Sequence, residues 1–170
     1  MIGTQVFLPS CKVKLKEETF TTEDVKLLDE IGETILPSSV SSPGAKAAKI
    51  GEFMKVYVTD CYNEANQKAF FEGINKFKNL SKERYSKEFL QLTSSQKHDL
   101  LVILHKEAGE YNKSKIKGDP DHYFSMMKSM ILFGYFTSEP GATRALRYVQ
   151  TPGLYNGNVA YKKGDKVWAT

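Results

Sequence analysis

The feature that most constrains this chain is a set of apolar residues recurring at three- and four-residue steps, each set opened by a capping residue and closed by a breaker. Val25, Leu28, Ile31 and Ile35 form the first stripe, the spacing of one helix face. Thr21 precedes it with Asp24 three residues on, a capping-box variant, and Phe20 and Val25 are placed as a hydrophobic staple. Pro37 ends it, because proline biases the residue before it away from helical angles. The chain restarts at Ser42-Pro43-Gly44-Ala45, read as cap and first-turn proline of a second helix. The stretch from Asp29 to Pro37 and its continuation at Ser42 to Ala45 is therefore expected to dock two helices.

The same grammar continues. Ile50, Phe53, Met54, Tyr57, Val58 and Cys61 make a second apolar stripe, with Cys61 read as a buried thiol. Asn63 is a fresh N-cap, after which Phe70, Phe71, Ile74 and Phe77 face inward. Leu80 to Phe89 is polar and reads as a link. Thr93 and Gln96 repeat the capping box ahead of Leu100, Leu101, Leu104, Ala108 and Tyr111. Asp119-Pro120 predicts the start of a helix running to Thr137 that is apolar nearly all round; such a helix is either central to a bundle or partly offered to a partner, and the central place is expected. Pro140-Gly141-Ala142 predicts a short last helix through Tyr148, and Asn156-Gly157 a tight hairpin between Leu154-Tyr155 and Val159-Tyr161. The fold class that follows is all-α: one bundle of five or six helices over residues 17–149, with an irregular, aromatic tail over 150–170 in the same domain.

A chain of 170 residues, 41% apolar and 26% charged, is long enough to bury a core without disulfides. Its net charge is +4, carried by lysines along polar helix faces, with Arg84, Arg144 and Arg147 the only arginines. That pattern argues against nucleic acid, which calls for concentrated basic charge with interleaved aromatics. No run reaches the roughly 18 apolar residues of a membrane span. Residues 1–16 read as the remnant of an export signal or tether: an uncharged, apolar start to Cys11, then Lys12-Val13-Lys14-Leu15-Lys16. Leu8 to Cys11 also resembles a lipoprotein box, which makes Cys11 a candidate for lipid attachment or for a disulfide.

Catalytic patterns are missing from the sequence. There is no GxGxxG after a strand, no CxxCH and no recognisable nucleophile context. His98 and His105 sit seven apart on one predicted helix, with His122 beyond, and read as surface or capping histidines rather than metal ligands. The expected site list is accordingly empty for catalysis, cofactor and metal.

Taken in order, the pieces resemble the gluconate 2-dehydrogenase subunit 3 family. They are Phe20-Thr21-Thr22-Glu23-Asp24, Leu28-Asp29-Glu30-Ile31 with Ile35-Leu36-Pro37, and Pro43-Gly44-Ala45. Gln67, Phe70 and Gly73 follow, then Phe89, Leu92-Thr93, Gln96 and Leu100-Leu101, then Tyr123-Phe124 and Gly134 to Glu139. Arg147-Tyr148 and Tyr155-Asn156-Gly157 close a resemblance covering about residues 17 to 161. It implies a small, all-helical, non-catalytic subunit of a periplasmic flavoprotein sugar or sugar-acid dehydrogenase. FAD would lie in the large partner, a cytochrome c subunit would often pass electrons onward, and the small subunit would escort its partner through twin-arginine export and maturation. No twin arginine stands in this sequence. The expected partner interface is Tyr135 and Phe136 with Tyr148, Leu154, Tyr155 and Tyr161, because aromatic anchors dominate interface energetics. The alternative reading is a stand-alone helical lipoprotein of the cell envelope acting as a binding module.

Overall fold

The computed structural model describes residues 19–151, 153–154 and 156–169. Cys11 and the proposed export remnant lie outside the described residues, as does Tyr155. Five α-helices make the fold: α1 (Thr22–Ile35), α2 (Ile50–Cys61), α3 (Glu64–Tyr85), α4 (Ser94–Ser114) and α5 (Tyr123–Thr137). Short 3-10 turns over Ala45–Ala48 and Phe89–Gln91 and a π turn over Gly141–Ala145 join or follow them. The architecture is the expected all-α single domain.

Local signals hold where the bonding partners are three residues apart. Thr21 caps α1, its hydroxyl accepting from the Asp24 amide while the Asp24 carboxylate accepts from the Thr21 amide at 2.9 Å. Thr93 and Gln96 form the same reciprocal box on α4, and Asn63 caps α3 through the Asn66 amide at 2.9 Å. Each such pairing satisfies donors that a helix start leaves open.

α5 is the central element. It packs on α1, α2, α3 and α4 as well as on the turns over Ala45–Ala48 and Gly141–Ala145, and Phe124, Met127, Met130 and Ile131 are sealed within the core beside Leu28, Ile31, Phe70, Ile74, Phe77, Leu100 and Leu104. Glycines set the closest approaches. A Cβ on Gly73 of α3 would stand 2.2 Å from the Tyr123 Cβ, and one on Gly134 of α5 would stand 2.5 Å from the Phe53 ring. Both positions bring a helix backbone against an aromatic face.

Several expectations change. Ser42 and Pro43 do not open α2; a 3-10 turn intervenes, and Lys49 at φ +51° turns the chain left-handed into Ile50. α3 runs to Tyr85 through the stretch read as a link, and Ser81 is buried there, its hydroxyl donating to the Lys87 carbonyl at 2.9 Å. Cys61 is exposed rather than buried. The α2 core stripe advances by fours through Ile50, Met54 and Val58, so its next member is the half-buried Tyr62, and Cys61 falls to one side. Tyr111 is exposed at the rim, its ring 5.5 Å from that of His122. Asp119-Pro120 stays in the loop, and α5 starts three residues later with His122 as its cap.

At the C-terminal end the ordered turn stops at Ala145, short of Tyr148. Among the described residues there is no strand. Asn156 accepts from the Asn158 amide at 3.1 Å in a side-chain turn rather than a hairpin. The tail instead returns on itself. The Arg147 amide donates to the Val167 carbonyl at 2.8 Å and the Ala169 amide to the Arg147 carbonyl at 3.0 Å, a parallel bridge that brings Trp168 beside Arg147.

Candidate functional site

The acidic residues between Asp29 and Glu33, the obvious place to look for carboxylate chemistry, are all engaged in holding helices together. Asp29 accepts the Gly51 amide at 2.8 Å, so it caps α2 from a different helix. Glu33 accepts from the Ser38 amide at 2.9 Å and the Lys46 amide at 3.0 Å. Glu30 takes Lys97 of α4 at 2.6 Å and Lys46 of the 3-10 turn. Asp24 takes Lys78 of α3 at 2.5 Å. Burial opposes ionisation of Asp24 and Glu30, yet the lysine contacts, joined at Asp24 by the hydrogen bonds from Thr21, together outweigh it and hold both carboxyls below their ordinary range.

The other resemblance pieces do the same work. Gln67 of α3 donates through its amide nitrogen to the carbonyls of Val58, Thr59 and Tyr62 at 3.1 Å each, closing the end of α2. Tyr135, 3% exposed, points inward: its hydroxyl donates to the Pro43 carbonyl and lies 2.8 Å from the Ser42 hydroxyl. Its side chain thus fastens the serine-rich link to α5, and this corrects its expected place in an outer interface. The ring has no surface left to offer.

At the far end of the bundle His122 joins α4 to α5. Its Nδ1 accepts from the Phe124 amide at 3.3 Å, and its own amide donates to Asn112 Oδ1 at 2.8 Å. Asn112 in turn donates to the Ser125 hydroxyl at 2.8 Å. This arrangement requires a proton-free Nδ1, leaving the Nε2 proton toward Glu107 at 3.6 Å. Burial lowers the His122 pKa from its ordinary 6.5, Lys76 adds to the lowering, and Glu107 opposes both. The unfolded chain therefore binds the proton more readily than the folded one. His122 contributes stability above pH 6.5 that is lost as pH falls through the lowered folded value. The thermal midpoint is expected to drop between pH 7 and pH 5.5, and His122→Asn, which keeps a capping acceptor without titrating, to flatten that slope. An unchanged slope in the variant would remove His122 as the cause.

The remaining histidines, His98 and His105, are exposed on α4. Among the described residues no group of three or more His, Cys, Asp or Glu is placed to hold a metal ion, and no described helix is long and apolar enough to cross a membrane.

Two surfaces break the charged exterior. The first is an aromatic face on α2 and α5. Phe53, Tyr57, Tyr62 and Phe133 make a connected set, with ring centres 5.6 to 6.0 Å apart. Phe133 is 52% exposed, with Val56 and Phe136 also open to solvent. The apolar spacing puts Phe53 and Tyr57 in the buried stripe and counts Phe133 within the all-round apolar α5 without choosing it for the partner interface. The signal was the all-round apolarity of α5, which supplies more large side chains than its core contacts can cover.

The second surface is the tail. Tyr148, Leu154 and Tyr161 are exposed, Leu154 and Tyr161 at 85% and 80%, while Tyr155 lies outside the described residues. The Arg147 guanidinium stands over the Trp168 ring at 4.4 Å from its centre. A cleft of about 480 Å³ at the base of this loop is lined by Leu146, Arg147, Tyr148, Val159, Asp165 and Lys166, among others.

No curated protein and no solved structure matches the chain significantly. The family model described as gluconate 2-dehydrogenase subunit 3 matches residues 22–153, from the first residue of α1 to the start of the tail loop. The docking residues described above therefore sit in a recognised frame, and the chain belongs to the gluconate 2-dehydrogenase subunit 3 family.

Proposed function

We propose that this chain is the small, non-catalytic subunit of an FAD-dependent gluconate or sugar dehydrogenase. It binds the large catalytic subunit and supports its export or maturation at the periplasmic side of the cell envelope. The observation that carries the reading is the family match over residues 22–153. The residue inventory agrees with it, since Asp29, Glu30, Asp24 and the buried His122 are committed to helix docking and capping. FAD belongs to the large subunit in this reading, and a cytochrome c subunit is a further partner.

The exposed aromatic face on α2 and α5 supports it physically. Leaving Phe133 and its neighbours in water is unfavourable, and covering such rings supplies a large share of the free energy at protein interfaces. Extraction from the native host under mild conditions is expected to recover the chain with a large yellow partner. Phe133→Asp should leave the helical fold intact, because the side chain is half open, yet weaken that association by about 2 kcal/mol or more. Recovery of a clean monomer carrying an acyl group on Cys11 would instead establish the stand-alone lipoprotein. Equal recovery of the partner with wild type and Phe133→Asp would take the aromatic face out of the interface.

A further inference from the structure

The charge of this protein is not spread evenly once it is folded. Between Glu139 and Ala169 the chain carries Arg144, Arg147, Lys162, Lys163 and Lys166 against only Glu139 and Asp165, a surplus of three out of a chain total of +4. Over the rest of the chain acidic residues nearly balance the basic ones, and several body lysines meet carboxylates: Lys46 and Lys97 share Glu30, Lys78 meets Asp24, Lys82 meets Glu88 and Lys115 meets Asp121. Among the described residues, none of the five tail cations makes an ion pair. Asp165 sets one negative charge among them and lines the same cleft, its carboxylate accepting from the Lys162 backbone amide at 3.0 Å as part of the turn, so the cations remain in excess.

The fold also fixes where these charges stand. The bridge between Arg147 and Trp168 closes the tail into a loop, so cations from both its ends meet at one place. The Lys166 ammonium donates to the Arg144 carbonyl across that closure. Arg147 and Lys166 then line the cleft of about 480 Å³, whose apolar wall is Leu146 and Val159. Tyr148 borders it as well, and Tyr161 lies on the same loop, exposed.

We infer that this closed tail is a docking site for an acidic segment of the partner protein, one with carboxylates spaced around an apolar side chain. The carboxylates meet Arg147, Lys166 and the Lys162-Lys163 pair, and the apolar residue enters between Leu146 and Val159. The inference rests on the subunit reading above and adds to it the chemistry of the surface that is recognised. Charge complementarity is what selects the occupant: a face with uncompensated cations repels a basic partner and steers an acidic one toward contact. Arg147 is suited to the task because stacking on Trp168 holds its planar fork ready for a carboxylate.

The test uses the full chain, a triple variant Arg144→Glu/Lys162→Glu/Lys163→Glu, and Trp168→Ala, which removes the stacking partner of Arg147. Three labelled probes are titrated at low and at physiological salt: a peptide alternating glutamate with leucine, a single-stranded DNA oligonucleotide, and vesicles rich in phosphatidylglycerol. In parallel each form is co-expressed with the dehydrogenase subunit and the complex is purified. Binding of the acidic peptide is expected to weaken about tenfold in the triple variant, to weaken in Trp168→Ala, and to fall with salt. The dehydrogenase should be lost in step. Circular dichroism checks that each variant keeps its helices. Undiminished peptide binding in the triple variant overturns the inference, as does tighter binding of the oligonucleotide or the vesicles through the same cations. Loss of the peptide with full retention of the dehydrogenase overturns it too, while sparing the subunit reading. Failure of the wild-type chain to retain any dehydrogenase sinks the subunit reading itself, whatever the peptide does.

Discussion

Gly51→Ala is expected to destabilise the protein by about 3 kcal/mol, whereas Gly109→Ala stabilises it by about 0.5–1 kcal/mol. Both glycines lie inside helices, where alanine is ordinarily the better residue. The difference is what surrounds them. A Cβ on Gly51 would stand 2.3 Å from the Val25 carbonyl oxygen of α1, a backbone atom that cannot swing aside. It would also press on the Asp29 carboxyl, which accepts the Gly51 amide. The methyl group can be placed only by lifting α2 off α1, which breaks that bond and opens the core at Leu28 and Ile50. Around Gly109 nothing lies within 4 Å, so alanine there only narrows the unfolded ensemble. Denaturant midpoints with unchanged slopes measure both effects. A stabilising shift for Gly51→Ala would mean that α1 and α2 do not approach this closely.

Phe77→Ala is expected to cost about 3–5 kcal/mol. Phe77 is fully enclosed, and its ring meets Phe89 edge-on with centres 4.9 Å apart. Truncation leaves a cavity beneath the 3-10 turn over Phe89–Gln91, the segment that leads into the α4 cap. A cycle with Phe77→Leu and Phe89→Leu should return a coupling of about 0.5–1.5 kcal/mol for the ring pair. Additive single effects would show that the two rings are packed independently.

The helices were legible wherever a residue and its bonding partner sit three or four apart. Thr21 with Asp24, Asn63 with the Asn66 amide, and Thr93 with Gln96 need nothing from the rest of the chain. The expected helix starts failed where a distant partner decided the outcome. Asp119-Pro120 has the grammar of a helix opening, but His122 is tied by its amide to Asn112 of α4 and takes the cap itself. Ser42-Pro43 has the same grammar, yet the Glu33 carboxylate gathers the Ser38 and Lys46 amides and holds the chain in a tighter turn before α2 begins.

The candidate contact surfaces were less visible for a related reason. Apolar spacing marks a residue as fit for burial without saying whether the fold has room to bury it. Tyr135 and Phe136 are neighbours on one apolar helix, and the sequence reading grouped them; Tyr135 is inside, fastened to Pro43, while Phe136 remains partly exposed. Arg147 and Lys166 stand far apart along the chain and line one cleft only when Trp168 returns to Arg147.

By itself the sequence determined the all-α class, the caps of α1, α3 and α4, the central place of α5 and the family frame over most of the chain, because those follow from interactions a few residues long and from motif order. The tertiary structure alone decided which carboxylates are consumed in docking helices, which aromatics stay in water and which cations share the tail cleft. Those outcomes join residues tens of positions apart, such as Glu30 with Lys97 or Arg147 with Trp168, and only packing selects among the partners open to such groups.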